Sequence, residues 1–307
     1  MLDYLKKALK RYDEWCKSLG LTPEQKRCCV PIKKEDIFES KEKKMSEAHF
    51  RLFDTHCHFD RDEFSDKIDE EISIAKQFGV EMFLIPGCGA FNWERIESIC
   101  NCNSGMFYSL GLHPYFIEQH LDEHLNLLDQ LLSRKNSRCV AVGECGLDFY
   151  HSRESEERQK TLLAKQIQLA NKYHLPLILH SRKAHQESIK MLRQNNILSG
   201  GVIHAFTGSV QQAMDYINLG FFIGVGGSIT YPRATKTRQT ISQIPLSSIV
   251  LETDAPDMPI FGHQGENNHP KNLKIILNEL NVLRSEDKQT IADQVFKNSK
   301  SMYTICE

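Results

Sequence analysis

Apolar residues recur along the chain in two rhythms, and the change between them falls near residue 48. Before it, Leu2, Leu5, Leu9, Tyr12, Trp15, Cys16 and Leu19 repeat at helical spacing, with Gly20 as a stop signal. Thr22-Pro23-Glu24-Gln25 reads as a capping box with proline in the first turn of a second, short helix. From 33 to 44 nearly every residue is charged, which predicts a solvated linker. After residue 48 a different unit repeats: a short apolar run, a polar residue, then a helical stretch. The runs lie at 50–53, 80–85, 106–110, 139–142, 176–179, 201–203, 221–225 and 248–251. Between them lie helix-like segments such as 154–173, with Leu162, Leu163, Ile167 and Ala170 on one stripe. Near-continuous apolar strands fit a parallel sheet buried on both faces. Eight such units predict an α/β fold, a TIM (β/α)8 barrel over residues 48–307, with residues 1–47 as a short helical N-terminal extension. An open doubly wound sheet is the competitor. It lacks the Gly-x-Gly-x-x-Gly after the first strand that its nucleotide-binding version requires.

Composition narrows the class. The chain has 307 residues, 40 % hydrophobic and 25 % charged, as expected of a globular enzyme large enough for one substantial core. A net charge of −2 argues against a broad basic coat for nucleic acid, though not against a site that grips a few phosphates through metal. The first 47 residues carry 12 basic against nine acidic side chains, which suits a stripe that packs on its own domain or on a partner protein. No apolar run reaches membrane-spanning length and no secretory signal opens the sequence, so no membrane contact is expected. The 10 cysteines follow no pairing pattern, which favours reduced thiols in a cytoplasmic protein.

The candidate chemistry gathers where the predicted strands end. Strand one leads into Asp54-Thr55-His56-Cys57-His58, strand three into Leu112-His113-Pro114 and strand four into Gly143-Glu144. Strands five, six and eight lead to His180, His204 and Glu252-Thr253-Asp254. In a (β/α)8 barrel these ends open onto one rim, where active sites of the fold lie. His56 and His58, two apart, point the same way from an extended backbone. Four histidines and two carboxylates supply donors for two divalent ions (Mg2+, Mn2+ or Zn2+) if one carboxylate bridges, and Glu144 is placed to do so. Paired ions can activate a water and clamp a phosphoryl oxygen, with Asp254 as ligand and candidate general base. Metal-assisted hydrolysis of an ester, most naturally a phosphoester, is the expected reaction, with Glu144 and Asp254 as its catalytic residues.

Six ordered motifs also resemble one family. His-x-His after Phe-x-Asp-Thr, Gly111-Leu112-His113-Pro114, Gly143-Glu144-Cys145-Gly146-Leu147-Asp148, Leu179-His180-Ser181-Arg182, His204-Ala205-Phe206-Thr207-Gly208 and Glu252-Thr253-Asp254-Ala255-Pro256 are similar to those of the TatD family of metal-dependent DNases. The stretch IGVGGSITYPR at 223–233 resembles its YjjV-like branch. The resemblance implies a TIM barrel and hydrolysis of DNA, often exonucleolytic, with 3'-5' as one polarity it admits. It also implies that His56, His58 and Asp254 hold one ion, His180 and His204 the other, with Glu144 between them. Residues 1–47 are outside the pattern.

Around the ligands, His113 is expected to face substrate. Arg182 either holds a phosphate in a bidentate fork or pairs with Asp148 or Glu144. Gly224, Gly226 and Gly227 either let the backbone approach a ligand or serve tight loop geometry. Arg233, Lys236 and Arg238 form a basic loop, either solvated or suited to a DNA backbone. Phe149, Tyr150, Phe206 and Tyr231 are candidates for base stacking. Cys145 is not expected to be a nucleophile, and His120 and His124 are expected on an outer helix surface. Besides a deoxyribonuclease, the residues admit a small-molecule hydrolase acting on an ester, lactone, amide or phosphoester, and a non-catalytic barrel that binds only.

Overall fold

In the computed structural model the described residues are 50–305, and the predicted extension, its helices and its linker lie outside them. Eight parallel strands form one sheet in sequence order: β1 (Leu52–Asp54), β2 (Val80–Ile85), β3 (Met106–Leu110), β4 (Cys139–Asp148), β5 (Leu177–Arg182), β6 (Gly201–Ile203), β7 (Phe221–Val225) and β8 (Ile249–Leu251). The seam between β8 and β1 is drawn together by backbone bonds, Thr55 N to Leu251 O at 3.0 Å and Asp254 N to His56 O at 2.9 Å. Helices fill the connections: α1 (Ile68–Gln77), α2 (Trp93–Cys102), α3 (Asp122–Ser133), α4 (Glu156–Tyr173), α5 (His185–Gln194), α6 (Val210–Ile217), α7 (Thr235–Gln243), α8 (Leu273–Leu283) and α9 (Lys288–Met302). This is the predicted (β/α)8 barrel.

Alternation along the strands sorts the core into two layers. Leu52, Phe83, Leu179, Ile203, Ile223 and Leu251 pack with the apolar stripes of the helices. Their neighbours Phe53, Leu84, Ile178, Val202 and Val250 form a second cluster, to which α9 and the residue after it add Phe296, Met302 and Tyr303. Burying large side chains such as these contributes roughly 1.5–3 kcal/mol apiece.

Two strands run further than predicted. β4 and β5 remain paired through Gly146↔His180, Leu147↔Ser181 and Asp148↔Arg182, past a register irregularity between Val142 and Cys145. Glu144 therefore lies inside β4 and His180 inside β5, not just after their ends. Gly146, at φ 145°, allows this approach, since a Cβ there would collide with the His180 carbonyl oxygen.

Candidate metal centre

The centre begins at the seam. Asp54, at the end of β1, is fully buried and its carboxylate accepts from Thr253 Oγ1 at 2.6 Å, Thr253 N at 3.0 Å and His56 N at 3.3 Å. Burial pushes its pKa up to about 8 against those donors. The clamp locks the loop carrying His56 and His58 to the loop carrying Asp254. His56 Nε2 lies 3.6 Å and His58 Nε2 3.5 Å from the same Asp254 Oδ1. Both ring nitrogens of His56 are buried without a hydrogen-bond partner. Buried polar atoms are rarely left so, and a bound ion is a group that would satisfy these.

Glu144 faces both halves of the site. Its Oε2 is 3.2 Å from His56 Nε2, while Oε1 is 3.0 Å from His113 Nε2 and 3.1 Å from His180 Nδ1. His113 Nδ1 accepts from Tyr115 N at 3.0 Å, so its neutral ring carries the proton on Nε2 and donates it to Glu144. The other nitrogen of His180 lies 3.1 Å from Asp148 Oδ2, which fixes the ring between two carboxylates. Two buried glutamines on α4 hold the backbone behind these residues. Gln166 bonds both Leu112 N (2.8 Å) and Leu112 O (3.2 Å), and Gln159 bonds both Asp148 N (2.8 Å) and Asp148 O (3.1 Å).

His204 follows β6 and stacks on His56, with ring centroids 3.5 Å apart. Its Nε2 is 3.6 Å from Asp254 Oδ2, and its Nδ1 is 3.0 Å from Glu252 Oε1. Glu252 is fully buried and accepts from Ala205 N at 2.6 Å. Gly224 makes room for it: a Cβ there would stand 2.5 Å from Glu252 Oε2. Among the described residues the donors thus form four overlapping groups, His56/His58/Asp254, His56/His204/Glu252, His58/Cys88/Glu144 and His113/Glu144/His180. His204 is grouped with His56, and His180 with His113 and Glu144.

Charge is shared unevenly. Burial pushes the Glu144 and Asp254 carboxyls up, but neighbouring imidazoles outweigh it and hold both well below the usual carboxylate range. Burial pushes His58, His180 and His204 down, and their carboxylate partners overcome it, raising all three above 6.5. For His56, burial and the neighbouring His204 lower the pKa, and for His113 burial does so first.

The remaining expectations divide. His120 is not on a helix surface: it is buried after a 3-10 turn, and its Nε2 donates to His113 O at 2.8 Å. The proline at 114 starts that turn and folds His120 back beneath the His113 loop. His124 does sit in the first turn of α3, where its Nδ1 accepts from Leu121 N. Arg182 is exposed, its guanidinium 3.7 Å over the Tyr150 ring. Arg238 is spent inside the fold on Ile229 O and on Glu279, whereas Arg233 and Lys236 are exposed. Phe149 and Phe206 are core residues and not free to stack; Tyr150 is 48 % exposed. Cys145 is buried with Sγ turned toward Ile178 O. Sequence reasoning passed over Glu252, Asp148, Cys88 and the two glutamines as site residues; the first two stand in the motifs already quoted, and the others have no local signal.

The geometry has relatives. Residues 53–304 match the model of the TatD related DNase family, and residues 1–44 match a family of unknown function. The chain is 42 % identical to the uncharacterized metal-dependent hydrolase YjjV of Escherichia coli, over 83 % of this chain and 98 % of that one. An uncharacterized metal-dependent hydrolase of Haemophilus influenzae is 36 % identical over 83 % of this chain and all of its own length. The crystal structure of YjjV, described as a TatD homolog, superposes with a TM-score of 0.82 at 41 % identity, covering 84 % of this chain and 100 % of that chain.

Proposed function

The chain belongs to the family of TatD-related DNases, and from that premise we propose that it is a deoxyribonuclease that cleaves phosphodiester bonds of DNA with two divalent ions. One observation carries the two-ion reading: the single carboxylate of Glu144 faces His56 with one oxygen and His113 and His180 with the other. The unpartnered nitrogens of His56 fit a bound ion as well. His56, His58, His204 and Asp254 would hold one side, His180 the other, with Glu144 between them. When bound, such ions supply Lewis acidity toward a phosphoryl oxygen and lower the pKa of water.

The chain's own groups then have separate tasks. Asp254, ionised and reached by three imidazoles, orients the nucleophile and accepts its proton. His113 holds Glu144, and Asp148 fixes the His180 ring. The exposed aromatics Phe91, Tyr115, Tyr150 and Phe261 follow the C-terminal ends of β2, β3, β4 and β8. They give a strand of DNA faces on which to stack, beside the exposed cations Arg182 and Arg233. Six cysteines among the described residues are free thiols, which suits a cytoplasmic enzyme. We take residues 1–47 as a separable element that contacts a partner protein, so a chain lacking residues 1–44 should retain turnover.

The test is release of nucleotides from single-stranded DNA by purified protein with Mg2+, Mn2+ or Zn2+. Glu144→Ala should abolish it. Hydrolysis of small phosphoesters without any cleavage of DNA would transfer the assignment to a small-molecule hydrolase.

A further inference from the structure

We infer that Cys88 is a metal ligand, which makes this centre a mixed nitrogen, oxygen and sulfur site selective for Zn2+ or Co2+ over Mg2+ or Mn2+. The inference rests on the metal-centre reading and not on DNA as substrate. Cys88 stands three residues after β2, and only 5 % of it is exposed. Its Sγ, a ligand nitrogen of His58 and a carboxylate oxygen of Glu144 all lie within 4.8 Å of one another. Otherwise the thiol has a single long contact, 3.9 Å to Pro86 O.

The position is also held in place. Asn92 Oδ1 accepts from Cys88 N at 3.1 Å and from Gly89 N at 3.3 Å, and Asn92 Nδ2 donates to Asp60 Oδ2 at 2.9 Å. On the other side His113 N donates to Cys88 O at 2.9 Å. The backbone at Cys88 is thereby tied to the loop carrying His58 and to the residue that holds Glu144. Cys57 and Cys145 adjoin ligands in sequence but are turned away, each Sγ 3.7 Å from a strand carbonyl, Leu84 O and Ile178 O respectively. Of these three thiols, only Cys88 is gathered with the donors. A second sign of an ion is that Nδ1 of His58, in the same donor group, and both ring nitrogens of His56 are buried yet make no hydrogen bond, although His56 Nε2 lies 3.2 Å from Glu144 Oε2.

Thiolate is the soft ligand in an otherwise imidazole and carboxylate set, and softness favours Zn2+ and Co2+ over the harder Mg2+ and Mn2+. On binding, the S–H bond is exchanged for a metal–sulfur bond and the proton leaves to bulk water. X-ray absorption of the zinc-loaded full chain should show a sulfur neighbour at about 2.3 Å beside nitrogen and oxygen neighbours at about 2.0–2.2 Å. The Co2+ form should show a sulfur-to-cobalt charge-transfer band in the near ultraviolet. Cys88→Ser and Cys88→Ala should each lose this sulfur shell and band, with circular dichroism unchanged, and Cys145→Ser should keep both. A wild-type shell of nitrogen and oxygen only, or a sulfur signal undiminished in both Cys88 variants, overturns the inference. A sulfur shell in a protein that leaves DNA intact would uphold it and discard the nuclease reading instead.

Discussion

Replacing Glu252 separates its two tasks. Its Oε1 accepts from Ala205 N at 2.6 Å and lies 3.0 Å from His204 Nδ1, with the carboxylate itself fully buried. In Glu252→Ala both groups lose their neighbour. Only the Ala205 N–H loses a hydrogen bond, and leaving such a donor unpaired costs about 1–3 kcal/mol. Each kcal/mol lowers Tm by about 2–4 °C in a domain of this size. Glu252→Gln keeps the volume and one acceptor for Ala205 N, so its melting should stay close to wild type. What it removes is the negative charge that sets the His204 ring. Loss of such a supporting carboxylate typically weakens metal binding by about 10–100-fold. Chelator competition read alongside thermal melts of both variants is the assay. Ion affinity within about twofold of wild type in Glu252→Gln would refute the orienting role. A loss far beyond about 100-fold would mean that Glu252 touches the ion itself.

Three further outcomes are expected. Gly224→Ala places a methyl 2.5 Å from Glu252 Oε2, so overpacking should destabilise by about 1–3 kcal/mol, measured by denaturant titration. Gln166→Leu leaves the N–H and C=O of Leu112 without their side-chain partner; it should cost about 2–4 kcal/mol and lower kcat more than it raises KM. Retained activity and Tm would show that water replaces the amide. Because His58, His180 and His204 have pKa values raised above 6.5 in the ion-free protein, an incoming ion must displace protons. Affinity should therefore fall as pH drops below those raised values and rise with pH through them. Calorimetry in two buffers of different ionisation heat should detect the released protons, and a pH-independent affinity would contradict the assignment.

The sequence exposed what depends on local pattern. Strands buried on both faces are apolar runs wherever they occur, so 80–85, 106–110, 201–203 and 221–225 coincide with β2, β3, β6 and β7. Ligands at strand ends were visible because the barrel brings all ends to one rim. The extra length of β4 and β5 was not, because it depends on Gly146 meeting a carbonyl on a strand more than 30 residues away. Glu252 was hidden for a related reason. Its role comes from His204, just after β6, and Gly224, on β7. His120 misled through its spacing: four residues from His124 looks helical, but a 3-10 turn ends at Gln119 and the next helix starts only at Asp122, so the first ring falls in the connection and is buried.

The paired glutamines of α4 make that helix a ruler. Gln159 and Gln166 sit seven residues apart on one buried face, and each grips both polar groups of one backbone residue, Asp148 and Leu112. At 1.5 Å per residue the two grips are about 10 Å apart along the axis. Inserting or deleting one residue between them would swing one grip by about 100° off the shared face. The loops after β3 and β4 can thus differ in their exposed side chains while the distance between them is kept by a helix behind the metal ligands.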